Sequence, residues 1–522
     1  MGLADILALA LVAAVCLALM AGYPVALTLG GVALAFALLG DLTGTMPLAL
    51  LGAFPQRVFG VMSNDVLLAI PLFIFMGVML ERSRIAEDLL ESMGRLFGSL
   101  RGGLAISVTI VGVLLAAAKG VVGATTVTMG LITLPTMLRH GYDPRLAAGT
   151  VAATSTLAQI MPPATVLVLL GDQLNTAYQA AQLAKGTFAP DSVSVGDLFA
   201  GAIFPALMLV GLYLAFQVGV AILRPAACPP IPPDPVARRG LMRMASLGEA
   251  LVAPILLIIV VLGSILAGLA TPTEAAAIGG FGALLLTARK LDHKASWPVM
   301  AAIAALLGLV VLRAIVDPQA ADPTGRIGLV LALGLMAIAA AGTLRAVAIV
   351  RRAGVLRQVL ASTAQITSMI FTILIGATLF SLVFRGLGGD DLVQRALSNL
   401  PGGTAGAILA VMLAMFLLGF VMDAFEIIFV VVPIVAPPLL ALHGVNPVWL
   451  GILMAMNLQT SYMHPPLGPT LFYLRGVAPP QITTLHIYVG IIPFVLIQIV
   501  ALVLLWMWPG LATWLPRVLY AG

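Results

Sequence analysis

Apolar stretches of about 20 residues recur from one end of the chain to the other, and charged residues, Gly and Pro collect in the short segments between them. Lipid offers backbone amides no partner, so such a stretch is a helix with its hydrogen bonds closed internally. Spans are predicted near 4–21, 23–40, 64–80, 146–171, 198–222, 250–268, 274–288, 298–316, 327–344, 362–384, 448–475 and 486–508, about twelve full crossings. Two further apolar stretches, 104–138 and 405–441, are short for two crossings each and carry a polar or Gly-containing interruption near the middle. Each is read as a re-entrant helical hairpin that enters and leaves on one side. The predicted fold class is therefore an all-α polytopic membrane protein.

Composition closes off the soluble alternatives. Of 522 residues 61% are hydrophobic and 9% charged, against roughly 25% charged in a soluble domain, and the mean hydropathy is +1.13. No room remains between the spans for a soluble domain. The first run has Asp5 where a secretory leader would be basic, and Tyr23 and Pro24 where cleavage needs small residues, so it is read as a retained span. Cys16 and Cys228 lie far apart and suggest neither a disulfide framework nor a metal site.

The isoelectric point of about 9.4 invites a nucleic-acid reading. The basic residues, however, fall in short clusters such as Arg238, Arg239 and Arg243, or Arg351, Arg352 and Arg357, where they orient the chain in a membrane. No nucleic-acid partner is expected; the lipid bilayer is. With the N-terminus outside, most of the 26 Lys and Arg lie in the cytoplasm. The first hairpin, flanked by Arg101 and Arg139, then opens from the cytoplasm and the second from the outside.

An internal repeat underlies the layout. His140, Gly141, Tyr142, Asp143 and Pro144 are matched by His443, Gly444, Val445, Asn446 and Pro447, at an offset of 303 residues that also pairs Pro135 with Pro438 and Pro162, Pro163 with Pro465, Pro466. The first repeat is placed at 1–223, a Pro-rich basic cytoplasmic linker at 224–249, and the second repeat at 250–522 with about two inserted spans near 297–344. Inverted repeats with two re-entrant hairpins and broken helices are a design of secondary transporters, whose sites lie where helices are interrupted near the midplane.

The residues at those breaks suit an ion site. Proline removes a backbone donor and frees a carbonyl, and hydroxyls and amides stand beside it: Thr154, Ser155 and Thr156 before Pro162; Asn457, Gln459, Thr460 and Ser461 before Pro465. Hydroxyls in membrane helices also bond back to their own backbone, and both uses remain open at this stage. The second hairpin carries Asp423 and Glu426 in an otherwise apolar run, and intramembrane carboxylates mark ion pathways. Asp423 is the leading single candidate; Glu426 is either a second ligand or a partner to a backbone donor. The first hairpin carries Lys119, Gly120, Gly123, Thr125 and Thr126, and at the repeat offset Gly120 stands opposite Asp423. Lys119 is open between holding a substrate carboxylate, standing in for a cation, and pairing or snorkelling.

The segment Thr271, Pro272, Thr273, Glu274, Ala275, Ala276, Ala277, the hairpin GVVGATTVTMGLITLPTMLRHGYDP and the stretch VMDAFEIIFVVVPIVAPP resemble the large membrane subunit of tripartite ATP-independent periplasmic (TRAP) transporters, over nearly the whole chain. The branch it looks like is the one labelled mannitol/chloroaromatic compound transporters. The resemblance implies an elevator-type importer of the bacterial inner membrane with no cofactor other than sodium as coupling ion. Its implied partners are a small four-helix membrane subunit and a periplasmic substrate-binding protein that delivers a small organic acid. Family ions sit at the hairpins and the breaks that follow them, which places the expected cation ligands at Gly120, Gly123, Thr125, Thr154, Ser155, Asp423, Asn457 and Gln459, and substrate contacts at Lys119, Thr126, Thr156, Thr460 and Ser461. The family's Ser-Gly-Ser type first hairpin reads Gly-Ala-Thr here. A stand-alone sodium- or proton-coupled carboxylate symporter of similar fold is the alternative. An intramembrane enzyme is disfavoured, because HExxH and GxSxG motifs are missing from the chain.

Overall fold

The computed structural model describes residues 2–83, 89, 92–94, 96–119, 122–231, 240–292, 297–315, 323–465 and 468–520. Within helices it leaves the side chains of 118–119, 240–251, 310–311, 313–315 and 323–326 undescribed. Helices and short 3₁₀ turns make up its regular structure, with no strand among the described residues.

The helices are α1 (Leu3–Met20), α2 (Val25–Leu42), α3 (Phe54–Met62), α4 (Ala69–Arg82), α5 (Gly103–Lys119), α6 (Val122–Arg139), α7 (Pro144–Thr156), α8 (Thr165–Ala184), α9 (Val195–Leu223), α10 (Gly240–Leu266), α11 (Pro272–Leu291), α12 (Trp297–Ile315), α13 (Pro323–Arg352), α14 (Val355–Gly386), α15 (Gly389–Ser398), α16 (Gly403–Leu418), α17 (Ala424–Val430), α18 (Val432–Ala441), α19 (Pro447–Ser461), α20 (Pro469–Val477), α21 (Thr484–Met507) and α22 (Gly510–Tyr520). Six helices among the described residues are long and apolar enough to cross a membrane alone, or up to eight when the bent pairs Leu48–Met62 with Asp65–Arg82 and α17 with α18 each count as one span. Shorter apolar helices accompany them at Gly103–Ala117, Val252–Leu266, Trp297–Leu309 and Gly403–Leu418. The runs 146–171 and 448–475 are not continuous helices: α7 stops at Thr156 and α8 starts at Thr165, and α19 stops at Ser461 and α20 starts at Pro469.

Helix starts follow local chemistry. Asp143 and Asn446 are N-caps whose side chains accept from the backbone N–H of Arg145 and Trp449, each followed by Pro at the first helical position, where its missing donor costs nothing. Just before each cap, Gly141 and Gly444 take φ of 77° and 80°, a left-handed turn that only glycine adopts freely. The repeated H-G-x-[D/N]-P motif is thus a hairpin exit followed by a helix start. The segment Thr271–Glu274 is likewise a capping box opening α11: the Thr271 N–H donates to Glu274 Oε2 at 2.8 Å, and the Glu274 N–H to Thr271 Oγ1 at 3.3 Å.

The repeat is carried into the packing. α5 and α6 form the first hairpin; α16 with α17 and α18 form the second, whose return arm bends by 55° at Val431, just before Pro433. After each break the chain docks on the other copy's hairpin: α8 on α18, and α20 on α6. This reciprocal exchange joins the two inverted halves into one body. At its centre α19 is buried along its whole length and α7 from Leu146 onward, and the small residues of α7 let neighbours approach closely. α7 meets α21 almost backbone to backbone: a Cβ added at Gly149 would stand 2.1 Å from the Gly490 carbonyl oxygen.

Around this body α14 packs on α2 and α4, and α11 on α4. The two spans read as inserted fall on α12 and α13, which pack on each other and, through α13, on α11. Residues 232–239 of the linker lie outside the described residues; its first part, up to Ile231, runs under the first hairpin, where the Gly102 N–H donates to the Cys228 carbonyl at 3.0 Å and the Asp143 N–H to that of Ala227 at 2.9 Å.

Candidate functional site

The two hairpins and the two breaks converge on one cavity of about 380 Å³. Its wall takes Val122, Gly123, Ala124 and Val127 from the first hairpin and Asp423 and Phe425 from the second. Gln159 comes from the first break with Val166 of α8, Tyr462 from the second break with Tyr473 of α20, and Glu81, Ile366 and Met369 from α4 and α14. Distant segments meet here because each post-break helix docks on the opposite hairpin.

Asp423 is held where an ion ligand is useful. It is the N-cap of α17, its Oδ1 accepting the Ala424 N–H at 2.6 Å, and the Asp423 N–H in turn donates to Glu426 Oε2 at 3.0 Å. Glu426 therefore acts as the partner of a backbone donor, the structural alternative of the two open from the sequence. Asp423 lines the cavity at the N-terminus of a half-helix. Gly123 lines the same cavity and has no room for a side chain: a Cβ there would lie 3.0 Å from the Tyr473 ring.

The remaining candidates are placed less directly. The Lys119 side chain and Gly120 lie outside the described residues. Thr125 is fully buried. The hydroxyls of Thr126, Thr154, Ser155, Thr460 and Ser461 donate to carbonyls of their own helices, at 2.9 Å to Val122, 2.6 Å to Thr150, 2.7 Å to Val151, 3.1 Å to Met456 and 3.2 Å to Asn457. A hydroxyl bonded this way retains an acceptor lone pair. Asn457 Nδ2 donates to the Met412 carbonyl at 2.7 Å and ties α19 to α16. Thr156 joins a buried polar cluster, accepting from Gln459 at 3.3 Å and from Gln498 at 3.4 Å, while Gln498 also donates to Tyr213 at 2.8 Å. Of the described candidates, Gly123 and Asp423 line the cavity itself.

Sequence reasoning passed over Gln159, Tyr462, Tyr473 and Glu81. The repeat held a signal for two of them, since Gln159 and Tyr462 are equivalent at the 303-residue offset, each three positions before its Pro-Pro pair. Glu81 falls at the end of a predicted span and reads as a loop charge. His464, also unremarked, stacks on Phe420 with ring centroids 3.7 Å apart and anchors the second break to the hairpin.

Comparison with known proteins gives this architecture a family. The model of the tripartite ATP-independent periplasmic transporter, DctM component, matches residues 11–511. The chain is 26% identical to the C4-dicarboxylate TRAP transporter large permease protein of Rhodobacter capsulatus, over 96% of this chain and 97% of that protein. It is also 26% identical to the corresponding protein of Vibrio cholerae, over 95% of each, and 26% identical to the ectoine TRAP transporter large permease protein of Halomonas elongata, over 86% of each. Among solved structures, the Alcanivorax borkumensis YdaH transporter superposes with a TM-score of 0.53 at 15% identity, covering 88% of this chain and 87% of that one, a likeness of fold. The relatives are named as permeases rather than enzymes, in line with the transport reading. A match over nearly the full length, carried by hairpins, breaks and caps that the structure puts in place, means that the chain belongs to the DctM-component family of TRAP transporters, as a multi-pass large membrane subunit of the inner membrane.

Proposed function

We propose that this subunit imports a small organic acid, handed over by a separate periplasmic binding protein, with sodium ions as the driving species and an elevator motion of the hairpin body as the mechanism. The observation that carries this reading is the cavity at which both hairpins and both breaks meet, with Asp423 on its wall. A carboxylate at a helix start can offset the desolvation of a hard cation, and carbonyls freed at the breaks add neutral oxygen ligands. The expected cation set is Asp423, Asn457 and Gln459 on one side and the first-hairpin tip with Thr154 and Ser155 on the other.

Relatives named for C4-dicarboxylate, ectoine and sialic acid transport fit a family in which the class of small polar solute varies while the membrane subunit is retained. A small membrane subunit and a soluble binding protein are the partners of this reading; another relative is a permease named DctMQ, of which this chain covers 60%. The test is uptake of labelled acid into proteoliposomes holding the chain with its small subunit. Uptake should require both an inward sodium gradient and the cognate binding protein; normal rates from the large subunit alone would instead favour a self-sufficient symporter.

A further inference from the structure

Asp172 is a carboxyl group that the cavity does not use. It lies on α8, seven residues past the helix start at Thr165 and so about 10 Å beyond the first break, and the cavity wall does not include it. A carboxyl group inside a membrane segment is costly unless a partner and a task retain it. Its partner is Asn64, whose Nδ2 donates to Asp172 Oδ1 at 2.7 Å, while Gln173 Nε2 donates to the other oxygen at 3.0 Å. The repeat does not require this pairing: the equivalent position at the 303-residue offset is Arg475, whose guanidinium donates to the Ile482 carbonyl in its own half at 2.6 Å.

Asn64 belongs to the surrounding helices rather than to the hairpin body. It stands at the 50° bend between Leu48–Met62 and Asp65–Arg82, and its Oδ1 accepts the Val66 N–H at 3.0 Å, which fixes the side chain with its amide nitrogen on Asp172. The bend is pinned from α11, where Thr273 Oγ1 donates to the Asp65 carbonyl at 2.7 Å. The bond from Asn64 to Asp172 therefore joins the start of α4 to the body. At the other end of α4 the Thr128 hydroxyl reaches Glu81 at 3.3 Å but shares its proton with the Ala124 carbonyl at 2.8 Å, so the Asn64 contact is the shorter and the undivided one. The cavity itself meets Glu81 in the last turn of α4 and Ile366 and Met369 in the first half of α14. In the orientation read from the basic residues, these are the cytoplasmic halves of both helices, and Asn64 marks the outer end of α4.

We propose that the hairpin body stands at the inner end of its stroke and that the Asn64–Asp172 hydrogen bond is the latch that holds it there, parting when α8 moves outward past α4. This rests on the elevator reading above and adds to it the contact that sets the balance between the two positions.

The test is the rate at which a membrane-impermeant cationic methanethiosulfonate labels Ala124→Cys, a reporter in the cavity wall, in the full-length chain with its small subunit and with Cys16→Ala and Cys228→Ala. Spheroplasts present the outer face to the reagent and inverted vesicles the inner one. From outside, the reporter should react slowly, and at least about 10-fold faster once Asn64→Asp sets two carboxyl groups against each other or Asp172→Leu removes the acceptor, as expected for losing a hydrogen bond to a charged group. The exchanged pair, Asn64→Asp with Asp172→Asn, again sets one amide against one carboxyl group and should return the rate to within about 2-fold of its starting value. Labelling from the inner face should rise in none of these variants. A measurable outside rate unmoved by Asn64→Asp and Asp172→Leu, an outside rate that the exchange does not restore, or a rise on both faces, which means loosened packing, would overturn the latch and leave the elevator reading standing. A reporter that reacts from the inner face in every variant and from the outer face in none would remove the elevator reading itself.

Discussion

Gln459 donates a hydrogen bond to Thr156 at 3.3 Å, and the two residues are separated by 303 positions, the register of the internal repeat. Each is thus the other's counterpart, and their contact marks where the two halves meet at the ends of the central helices α7 and α19. Thr156 serves two amides at this point, since Gln498 also reaches its hydroxyl, at 3.4 Å.

Removing that hydroxyl should therefore cost more than removing the whole pair. Thr156→Val keeps the shape and leaves the Gln459 amide without its acceptor, at an expected cost of about 1–3 kcal/mol. The double variant Thr156→Val with Gln459→Leu should recover most of the loss, because replacing both partners by apolar groups is close to neutral. Melting temperatures of the three variants in detergent check this; purely additive losses would contradict the shared contact.

The contact of α7 with α21 gives a steric counterpart. Gly149→Ala would push a methyl to within 2.1 Å of the Gly490 carbonyl oxygen, and overpacking of this kind costs about 1–3 kcal/mol or more. Gly211→Ala, in α9 with open space around it, is the control and should be neutral or stabilising by up to about 1 kcal/mol. Equal melting temperatures for the two variants would show that the helices lie further apart than described.

The Thr271–Glu274 segment is one of those that resemble the TRAP large subunit, yet its residues cap a helix rather than line the cavity. Thr271→Ala should lower stability by about 0.5–2 kcal/mol while leaving the half-saturating concentrations of substrate and sodium where they were. A shifted sodium requirement with unchanged melting would assign the motif a part in transport. Glu426→Gln separates structure from charge in the same way: the amide oxygen can still accept the Asp423 N–H, so sodium dependence should survive, whereas its loss would make Glu426 an ion ligand.

Much of this was legible in the chain because lipid narrows the options. An apolar run of membrane length must be helical, so α1, α2, α9, α14 and α21 fall close to the predicted spans, and Pro162–Pro163 and Pro465 marked the interrupted helices. The runs 146–171 and 448–475 look like single spans in hydropathy, whereas in the structure each is interrupted before its proline pair. The short helices α3, α15 and α22 were missed since they mix polar and apolar residues and lie between or after the spans. At the site, Asp423 stood out as a carboxylate in an apolar hairpin. Gln159, Tyr462 and Tyr473 did not, because their meeting depends on α8 and α20 each docking on the other repeat's hairpin, a relation between distant segments that no local pattern records. The hydroxyls of Thr154, Ser155, Thr460 and Ser461 were open between ligand and backbone partner; in the structure each donates to its own helix and keeps an acceptor lone pair.

Asp423 carries the central claim, that ions bound at the hairpin start set the affinity for the transported acid. Asp423→Asn keeps the size and the oxygen that caps α17 but removes the charge that offsets cation desolvation. The decisive measurement is binding-protein-dependent uptake against sodium concentration, at two pH values, for the wild type and Asp423→Asn. The sodium concentration for half-maximal uptake should rise roughly 10-fold or more in the variant, as for a charged contact worth about 1.5–3 kcal/mol, with membrane insertion unchanged. A variant with wild-type sodium dependence, or a wild type whose uptake follows pH and ignores sodium, would contradict it.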